Sequence, residues 1–422
     1  MKRILAALAA CLALSVAAHA APASEPLTLD AAFARVAGSH PELRLFGPRG
    51  DALEAERDAA LQPPPLRAGI ALENALGSGD VRGLDAAELT LSLAGVLERG
   101  GKLDARRTLA NARIDALAVE RETARLDLLA ETARRYLAVV AAQQQQVIAA
   151  QDIAQRRRTV AAARQRLQAG ASPESVLLTA QAALARAELE RARAQQSQSA
   201  ARQHLAALWG ERDPQFDVAA SDLLALPALA EIDALDALLT QAPELRRFAD
   251  DQRLRETRLQ LARSDTAPDL EWSLGVRRLQ DGGDTGLVAG LSLPLGTRSR
   301  AQPAIRGAQA ELAALEIERE AGGMALYSTL VEAHGRYRLA QLEIARLQAD
   351  VLPKLARAEA AAERAFRAGA ISYLEWAQLQ SEATGTRRQQ LDAALAAQRA
   401  LIELQRLTGQ PLLAAKTEGA TP

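Results

Sequence analysis

The spacing of hydrophobic residues changes along the chain, and the same succession occurs in both halves. Over 68–93, and again over 270–293, apolar residues stand at alternate positions, which is the period of a β-strand with one buried face. Each stretch is interrupted by a segment rich in glycine and aspartate, at 77–83 and 281–284, which is typical of a loop. The pattern therefore predicts two β-hairpins, each with one apolar and one polar face.

Each predicted β-hairpin is followed by a long stretch of helical character. No proline or glycine occurs over 103–169, and a single helix of that length would extend for about 100 Å. Such a helix exceeds one globular domain and predicts a coiled-coil-like partner. The corresponding helix of the second half is predicted from about 304 to 368, with local weak points at 322–323 and at Pro353.

The two halves align at a constant offset of 199 residues beyond their long helices. Gln181 then corresponds to Gln380, and an Ala-Gly-Ala turn recurs at 169–171 and 368–370. A period this long indicates a duplicated half-protein rather than a solenoid. Each half is predicted to contain two helices, two strands, a long helix, a turn and a returning helix.

The first residues have the features of an export signal. A basic start is followed by an apolar run and by Ala-His-Ala at 18–20, which suits signal cleavage. Cys11, the only cysteine of the chain, lies within this segment, so cleavage would leave no disulfide. The alternative is a lipoprotein in which Cys11 carries the lipid.

The composition narrows the class of protein. Lysine and arginine number 51 against 52 aspartate and glutamate residues, so the net charge of −1 gives no footprint for nucleic acid. Hydrophobic residues make up 49% but aromatic residues only 3%, which is typical of long packed helices rich in alanine and leucine. The histidines are far apart, and no catalytic, cofactor-binding or metal-binding motif occurs, so no enzyme is predicted.

The predicted strands have about ten residues each, the length of a tilted strand that crosses a membrane. Four strands cannot close a barrel, because the two edge strands would stay unpaired. If they lie in a membrane, the chain must oligomerise. The predicted segments are the signal peptide at 1–20, the helices of repeat 1 at 21–66, a transmembrane β-hairpin at 67–97, a long helical hairpin at 98–210, an equatorial connection at 211–228, the helices of repeat 2 at 229–266, a second transmembrane β-hairpin at 267–296, a second long helical hairpin at 297–409 and a disordered tail at 410–422.

Short motifs accompany this order of elements. Pro-Glu-Leu occurs at 41–43 and 243–245, Leu-Glu-Arg-Gly-Gly-Lys follows the first β-hairpin at 97–102, and Leu-Pro-Leu follows the second at 293–295. Together with the duplicated order of strands and helices, these motifs make the chain resemble the TolC family of outer-membrane factors. Within that family it is most similar to the heavy-metal (CzcC-like) cation efflux members. The resemblance extends over 27–409.

The resemblance implies a mainly α-helical, internally duplicated protomer with a small β part. Three chains would form a twelve-stranded β-barrel in the outer membrane of a Gram-negative bacterium and a twelve-helix tunnel in the periplasm. This homotrimer would be a passive exit duct for metal cations, supplied by an inner-membrane RND pump through a periplasmic adaptor. Drug efflux and type I protein secretion stay open as alternatives, as does a soluble periplasmic coiled-coil adaptor.

Two departures from the family concern the barrel. The family usually has Gln-Pro where this chain has Ala-Gly-Val at 94–96, and Trp272 stands alone in the strands where the family would have a girdle of aromatic residues. The apolar strand faces are expected to meet lipid. The polar side chains expected in the lumen are Glu73, Glu88, Glu271 and Arg277.

The resemblance also places the two turns at the periplasmic tip, in contact with the adaptor. Alternatively, they are ordinary helix reversals in which glycine is the residue that most readily takes a positive φ. Carried over by position, the expected adaptor-contact residues are Gly170, Ala171, Ser172, Gly369, Ala370, Ile371 and Ser372.

A pore gate is expected beside the second turn. Glu375 stands where the family has an acidic residue at the narrowest part of the pore, and Gln378 replaces a second acidic position. Three glutamates around a trimer axis would favour cations, and the alternative for Glu375 is a solvated helix position. Phe366 and Val176 replace a Tyr and an Asp that hydrogen-bond in the closed family channel. An apolar contact is therefore expected to hold the closed state here.

Overall fold

The computed structural model describes residues 26–409 apart from 220 and 241. The predicted signal peptide, Cys11 and the predicted tail at 410–422 lie outside the described residues.

The two halves of the described chain share one plan, in which helices are followed by two strands, a long helical stretch, a turn and a returning helix, as the sequence predicts. We refer to α4 with α5 as hairpin 1, and to α8, α9 and α10 as hairpin 2. The first half contains α1 (Leu29–Ser39), α2 (Pro41–Arg44), α3 (Phe46–Ala60), β1 (Arg67–Glu73), β2 (Glu88–Leu97), α4 (Lys102–Gln168) and α5 (Glu174–Ala206). The second half contains α6 (Ile232–Leu239), α7 (Pro243–Ser264), β3 (Leu270–Leu279), β4 (Thr285–Ser292), α8 (Thr297–Arg346), α9 (Leu352–Ala368) and α10 (Tyr373–Thr408).

A proline divides the helices that precede the strands in each half of the chain. The residue before a proline avoids the helical conformation because the ring crowds it. His40 and Ala242 accordingly have ψ values of 126° and 139°. Pro41 and Pro243 then begin α2 and α7, where a missing N–H leaves no helical bond unmade.

The four strands form one antiparallel sheet in the order β1-β2-β3-β4. Its central pair joins the two repeats, since β2 and β3 lie side by side with Leu91 opposite Val276. Strands β1 and β4 are the edges, and within the described residues each pairs on one side only. The sheet therefore ends in two strands that have main-chain groups to offer to a further strand.

Apolar side chains cover one face of this sheet, and this face is open. Ile70 is 78% exposed and Leu287 is 89% exposed. Trp272 lies on the same face over Gly95, where a Cβ would stand 2.8 Å from the indole ring. Opposite partners in an antiparallel ladder share a face. The register therefore assigns to the apolar face Ile70, Leu72, Leu89, Leu91, Leu93, Trp272, Leu274, Val276, Leu287 and Leu291.

The long helices pack side by side in the order α5, α4, α10 and then α8 with α9. Alanine lines many of these contacts, including the buried Ala163, Ala180 and Ala394, and small side chains let helices approach closely. Nearer the sheet, the Tyr136 hydroxyl donates to the carbonyl of Leu27 at 3.0 Å and fastens the start of the described chain to α4. No helix among the described residues combines the length and the apolar composition that crossing a bilayer requires.

Hairpin 2 differs from the sequence-based prediction in two places and agrees with it in a third. Helix α8 begins at Thr297 rather than near 304, and Pro303 lies within its second turn. The weak point predicted at 322–323 is wrong, because α8 continues through both glycines. Gly322 instead gives room to Phe248 of α7, whose ring would lie 2.9 Å from a Cβ. At Pro353, where a weak point is predicted, the helix does change: just before this proline it widens into a π-turn at Leu347–Val351, which accommodates a residue that has no N–H to donate.

Candidate functional site: the hairpin tips and the sheet

Each hairpin reverses through a glycine with a positive φ. Gly170 has a φ of 68° and Gly369 a φ of 79°, values that residues with a Cβ rarely adopt. The N–H of Ala171 and the N–H of Ala370 each donate to the carbonyl five residues earlier, at 2.9 and 2.8 Å. This is the Schellman motif, so the two turns are local structural equivalents.

The second turn ends in a capping box that the first turn lacks. The Ser372 hydroxyl accepts from the N–H of Glu375 at 3.3 Å, and the Glu375 carboxylate accepts from the N–H of Ser372 at 2.8 Å. The hydrogen bonds from the backbone and hydroxyl of Ser372 lower the pKa of Glu375. Hairpin 1 has Pro173 at the equivalent place, with no side-chain cap. Glu375 therefore helps to begin α10 within one protomer, and Gln378 beside it is exposed.

Phe366 is the centre of an apolar cluster between the two tips. It is 2% exposed, and its ring lies 5.2 Å from that of Trp376 and 6.5 Å from that of Tyr373. Val176 of hairpin 1 is half-buried and packs against the same cluster. Phe366 and Val176, the two positions expected to replace a hydrogen bond by an apolar contact, thus belong to one cluster.

Arg166 connects the two tips, and the sequence did not single it out. Its guanidinium donates to the carbonyl of Phe366 at 2.6 Å and to that of Ala171 at 3.1 Å, one in each hairpin. It also lies 5.0 Å from the centre of the Phe366 ring, within cation–π range. Gly369 gives it room, because a Cβ there would be 3.2 Å from the guanidinium. The sequence signal is the comparison of the two halves, since the equivalent position in hairpin 2 is Ala365.

A buried set of polar side chains joins α4 to hairpin 2 several turns from the tips. Asp152 accepts hydrogen bonds from Arg156 at 3.2 Å and from Thr384 at 3.1 Å. Arg156 also donates to Ser381 at 3.0 Å and to Gln380 at 3.4 Å. Arg156 is only 8% exposed, so its charge depends on these partners in place of water.

The same set continues towards α9. Gln380, which is 1% exposed, and Thr159 exchange hydrogen bonds at 2.9 and 3.1 Å. Gln155 donates to Glu359 at 2.7 Å, and burial raises the pKa of Glu359. We call this set the polar seam. Its members are Asp152, Gln155, Arg156, Thr159, Glu359, Gln380, Ser381 and Thr384.

Three of the four predicted lumen residues form an ion cluster on the polar face of the sheet. Arg277 donates to Glu88 at 2.6 Å, to Glu73 at 2.7 Å and to Thr90 at 3.0 Å. The cluster ties β1, β2 and β3 together at the loop end of the sheet, away from the helices. Glu271 shares the polar face but lies at the opposite end. The structure therefore brings three of the four residues together and leaves the fourth apart.

The Leu-Glu-Arg-Gly-Gly-Lys motif holds the junction between sheet and helices. Glu98 accepts two hydrogen bonds of 2.7 Å from Arg106, which hold the pKa of Glu98 below its ordinary value. Lys102 donates to Asp269 at 2.8 Å and so joins repeat 1 to the residue before β3. The Asp269 carboxylate also accepts a hydrogen bond of 3.1 Å from the N–H of Arg99, so it holds both the backbone and a side chain of this motif.

These sites consist of apolar packing, hydrogen bonds and ion pairs. No grouping of histidine, cysteine, aspartate and glutamate in the described part of the chain could hold a metal ion. What the fold offers is an amphipathic sheet at one end, two paired turns at the other, and a layer of long helices between them. The sequence also matches the family described as "Outer membrane efflux protein" over residues 66–211 and 234–410, and the chain belongs to that family.

Individual relatives agree with this assignment. The chain is 27% identical over 353 residues to the cobalt-zinc-cadmium resistance protein CzcC of Cupriavidus metallidurans, covering 84% of this chain and 83% of that protein. It superposes on the outer-membrane channel OprN with a TM-score of 0.76 and 19% identity, covering 91% of this chain and 90% of that one. For VceC of Vibrio cholerae the TM-score is 0.74 at 17% identity, with 90% and 96% covered. For CusC it is 0.74 at 18% identity, with 90% and 91% covered.

The predicted family, fold class and localisation are confirmed. The protein is an outer-membrane efflux channel with a helical periplasmic part, it is not an enzyme, and the alternative of a soluble periplasmic adaptor is set aside. TolC-like channels trimerise and work with adaptors and pumps in tripartite systems.

Proposed function

We propose that three copies of this chain form a duct through which metal cations leave the cell. The duct has no unpaired strand edge, and an RND pump delivers the cations to it through a periplasmic adaptor. The sheet of each copy contributes four strands of a twelve-stranded barrel. Glu73, Glu88, Glu271 and Arg277 then face the lumen. The turns at 170–172 and 369–372 contact the adaptor.

The observation that carries this proposal is the amphipathic sheet with two edge strands. Its apolar face is more than half exposed at Ile70, Leu274 and Leu287. Exposing these side chains to water costs free energy, whereas contact with lipid does not. Strands β1 and β4 run antiparallel to each other in the sheet, so β4 of one copy and β1 of the next have the right polarity to pair. Closure by copies of the same chain satisfies both edges at once.

Cysteine pairs across the proposed joint test this closure. Ala71→Cys on β1 is combined in turn with Gly286→Cys or Val288→Cys on β4, three positions that all lie on the polar face. Facing cysteines in neighbouring copies form a disulfide only when their Cβ atoms come within about 4 Å. We expect one combination to give a cross-linked ladder that ends at the trimer.

The matched control moves one cysteine to the other face. Ile70→Cys with Val288→Cys places the thiols on opposite sides of the sheet, and no cross-linking is expected. Products larger than a trimer, or no cross-link in any combination, would contradict the closed barrel.

The cargo rests on the likeness to the cobalt-zinc-cadmium resistance protein and is tested separately. The gene, with the pump and adaptor genes of its own genome, is expressed in a strain that lacks metal efflux. We expect growth to be restored in cobalt, zinc and cadmium salts. Restored growth in dyes or antibiotics without metal resistance would favour drug efflux, and export of a co-expressed secretion substrate would favour type I secretion.

A further inference from the structure

The polar face of the sheet carries charge at its two ends and none between them. Arg67 and Glu271 lie at the end next to the helices, and the ion cluster of Glu73, Glu88 and Arg277 lies at the loop end. Within the four strands, the positions between them on this face hold glycine, alanine, serine, threonine and valine. Arg67 and Glu73 are six positions apart on β1, which is about 20 Å along the strand. The ion cluster is thus an isolated band of charge.

Two like charges face each other in this cluster. Glu73 on β1 is directly opposite Glu88 on β2, where side chains lie about 5 Å apart and like charges repel. The guanidinium of Arg277 bridges the two carboxylates, at 2.7 Å from Glu73 and 2.6 Å from Glu88. One cation therefore relieves the repulsion, and each copy keeps an excess of one negative charge at this end.

Further hydrogen bonds fix the guanidinium and one of its partners. The Nε of Arg277 donates to the hydroxyl of Thr90 at 3.0 Å, and Thr90 is only 7% exposed. The amide of Asn74 donates at 2.9 Å to the second oxygen of Glu88. Both oxygens of the Glu88 carboxylate are therefore engaged, and the Arg277 side chain is 33% exposed.

The groups that hold the guanidinium are also groups that bind divalent metal ions. Zinc takes carboxylate oxygens as ligands at about 2.0–2.2 Å, and two carboxylates that face each other can each supply one. A guanidinium attached to the same chain competes with a dissolved ion at a high effective concentration. Conduction requires that an ion be bound weakly enough to leave. A duct for metal cations therefore gains when its carboxylates are already occupied.

From these observations we infer that Arg277 is a resident counter-ion of the duct. Its guanidinium occupies the carboxylates of Glu73 and Glu88, so that the outer end does not retain the divalent cations that pass through it. This inference rests on the proposed function, because it takes the polar face as the lining of the duct and metal cations as the cargo.

Zinc binding to the purified trimer tests the inference. The protein in detergent is dialysed to equilibrium against zinc chloride, and the bound metal is counted. We expect Arg277→Gln to bind about one more zinc ion per chain than the wild type, with an affinity raised at least about tenfold. Arg278→Gln is the matched control, because it removes the same charge from the next residue of β3, which is exposed on the apolar face. It should bind no more zinc than the wild type.

Two further variants identify the groups responsible. Arg277→Lys keeps the positive charge and should stay close to the wild type. Combining Arg277→Gln with Glu73→Gln and Glu88→Gln removes the ligands together with the counter-ion, and the additional zinc should be lost.

The reversal potential in a KCl gradient across a planar bilayer gives a second readout that does not depend on the cargo. Arg277→Gln leaves two carboxylates without their cation, so the channel should become more selective for cations. Zinc chloride should cancel that gain in Arg277→Gln and leave the reversal potential of the wild type and of Arg278→Gln unchanged.

The outcomes separate this inference from the proposed function. Equal zinc binding by Arg277→Gln and Arg278→Gln would overturn the inference and leave the duct intact, as would zinc on the wild type that is lost when Glu73 and Glu88 are replaced by glutamine. An Arg277→Gln chain that assembles neither with nor without zinc would show that the guanidinium serves assembly instead. A wild-type protein that forms no trimer and conducts no current would overturn the proposed function itself, and the inference with it.

Discussion

The two hairpins share a plan, yet only one of them is a continuous rod. Hairpin 1 contains α4, a helix of 67 residues, followed by α5. In hairpin 2 the corresponding stretch is divided by the π-turn at Leu347–Val351, and the returning α10 contains Gly385. A duplicated unit can thus keep its plan while a few residues leave the long helix continuous in one copy and interrupt it in the other.

The contacts between the tips are also unequal, because hairpin 1 contributes a side chain that hairpin 2 does not match. Arg166 of hairpin 1 reaches the carbonyl and ring of Phe366 in hairpin 2. Ala365, at the equivalent position of hairpin 2, has no side chain that could return the contact. Substitutions at matched positions of the two hairpins should therefore have unequal effects.

The largest difference is expected at the tip cluster. Phe366→Ala removes a ring that is 2% exposed and should cost about 3–5 kcal/mol of unfolding free energy. Leu167, the matched residue of hairpin 1, is half-buried, so Leu167→Ala should cost clearly less. Denaturant unfolding of the purified protein measures both. Phe366→Ala should also raise the conductance in planar bilayers, and an unchanged conductance would remove the hypothesis of an apolar gate.

Arg166 should give the next largest effect. Arg166→Gln loses charge-assisted hydrogen bonds to both tips, which are worth about 1.5–3 kcal/mol each when a charged group takes part. Arg166→Lys keeps the charge but not the fork that reaches two carbonyls, so it should restore only part of the stability. Arg164→Gln, two residues away on the exposed side of α4, is the control. Equal unfolding midpoints for Arg166→Gln and Arg164→Gln would show that the tips are not joined here.

The tip glycines should differ by a smaller margin. Both have a positive φ, which costs a residue with a Cβ about 1–2 kcal/mol. At Gly170 an added Cβ meets nothing within 4 Å, whereas at Gly369 it would press on the guanidinium of Arg166. Gly369→Ala should therefore lower the melting temperature more than Gly170→Ala. In an Arg166→Gln background the two substitutions should lower the melting temperature equally. A difference that persists there would mean that backbone strain at the two glycines, and not contact with Arg166, causes it.

Much of the fold could be predicted because strands and helices repeat their apolar residues at different and recognisable spacings. Alternation by two located the strands to within a few residues, and the absence of proline and glycine located α4. The errors fall in hairpin 2, where glycine and proline occur inside a helix because of how that helix packs against its neighbours. Gly322 breaks nothing because Phe248 occupies the space beside it, and Pro303 is tolerated inside α8.

The candidate site residues also differ in whether the sequence alone could identify them. The turns and the position of Phe366 are local features or carried over by alignment, so they could be named from the sequence. Arg166, Arg156 and Gln380 could not, because a polar residue in a helix rich in charge reads as a solvated face until the neighbouring helix is known. Their roles depend on how α4 packs against α9 and α10, in contacts between residues 200 or more positions apart.

The smallest expected effect concerns Glu359, whose matched residue in hairpin 1 is Val160. Burial raises the pKa of Glu359 although Arg387 and Arg158 oppose the shift. Ionisation therefore works against folding, and the penalty grows as the pH rises from about 4.3, the ordinary pKa of glutamate, through the higher folded-state value. Glu359→Gln should raise the melting temperature slightly at pH 7.5 and leave it near that of the wild type at pH 4.5. Glu363→Gln, one turn away, instead breaks a 2.7 Å ion pair with Arg367 and should lower the melting temperature at pH 7.5. A loss of stability in Glu359→Gln at both pH values would mean that the hydrogen bond from Gln155 outweighs burial, and hairpin 2 would then have no weak point at this end of the seam.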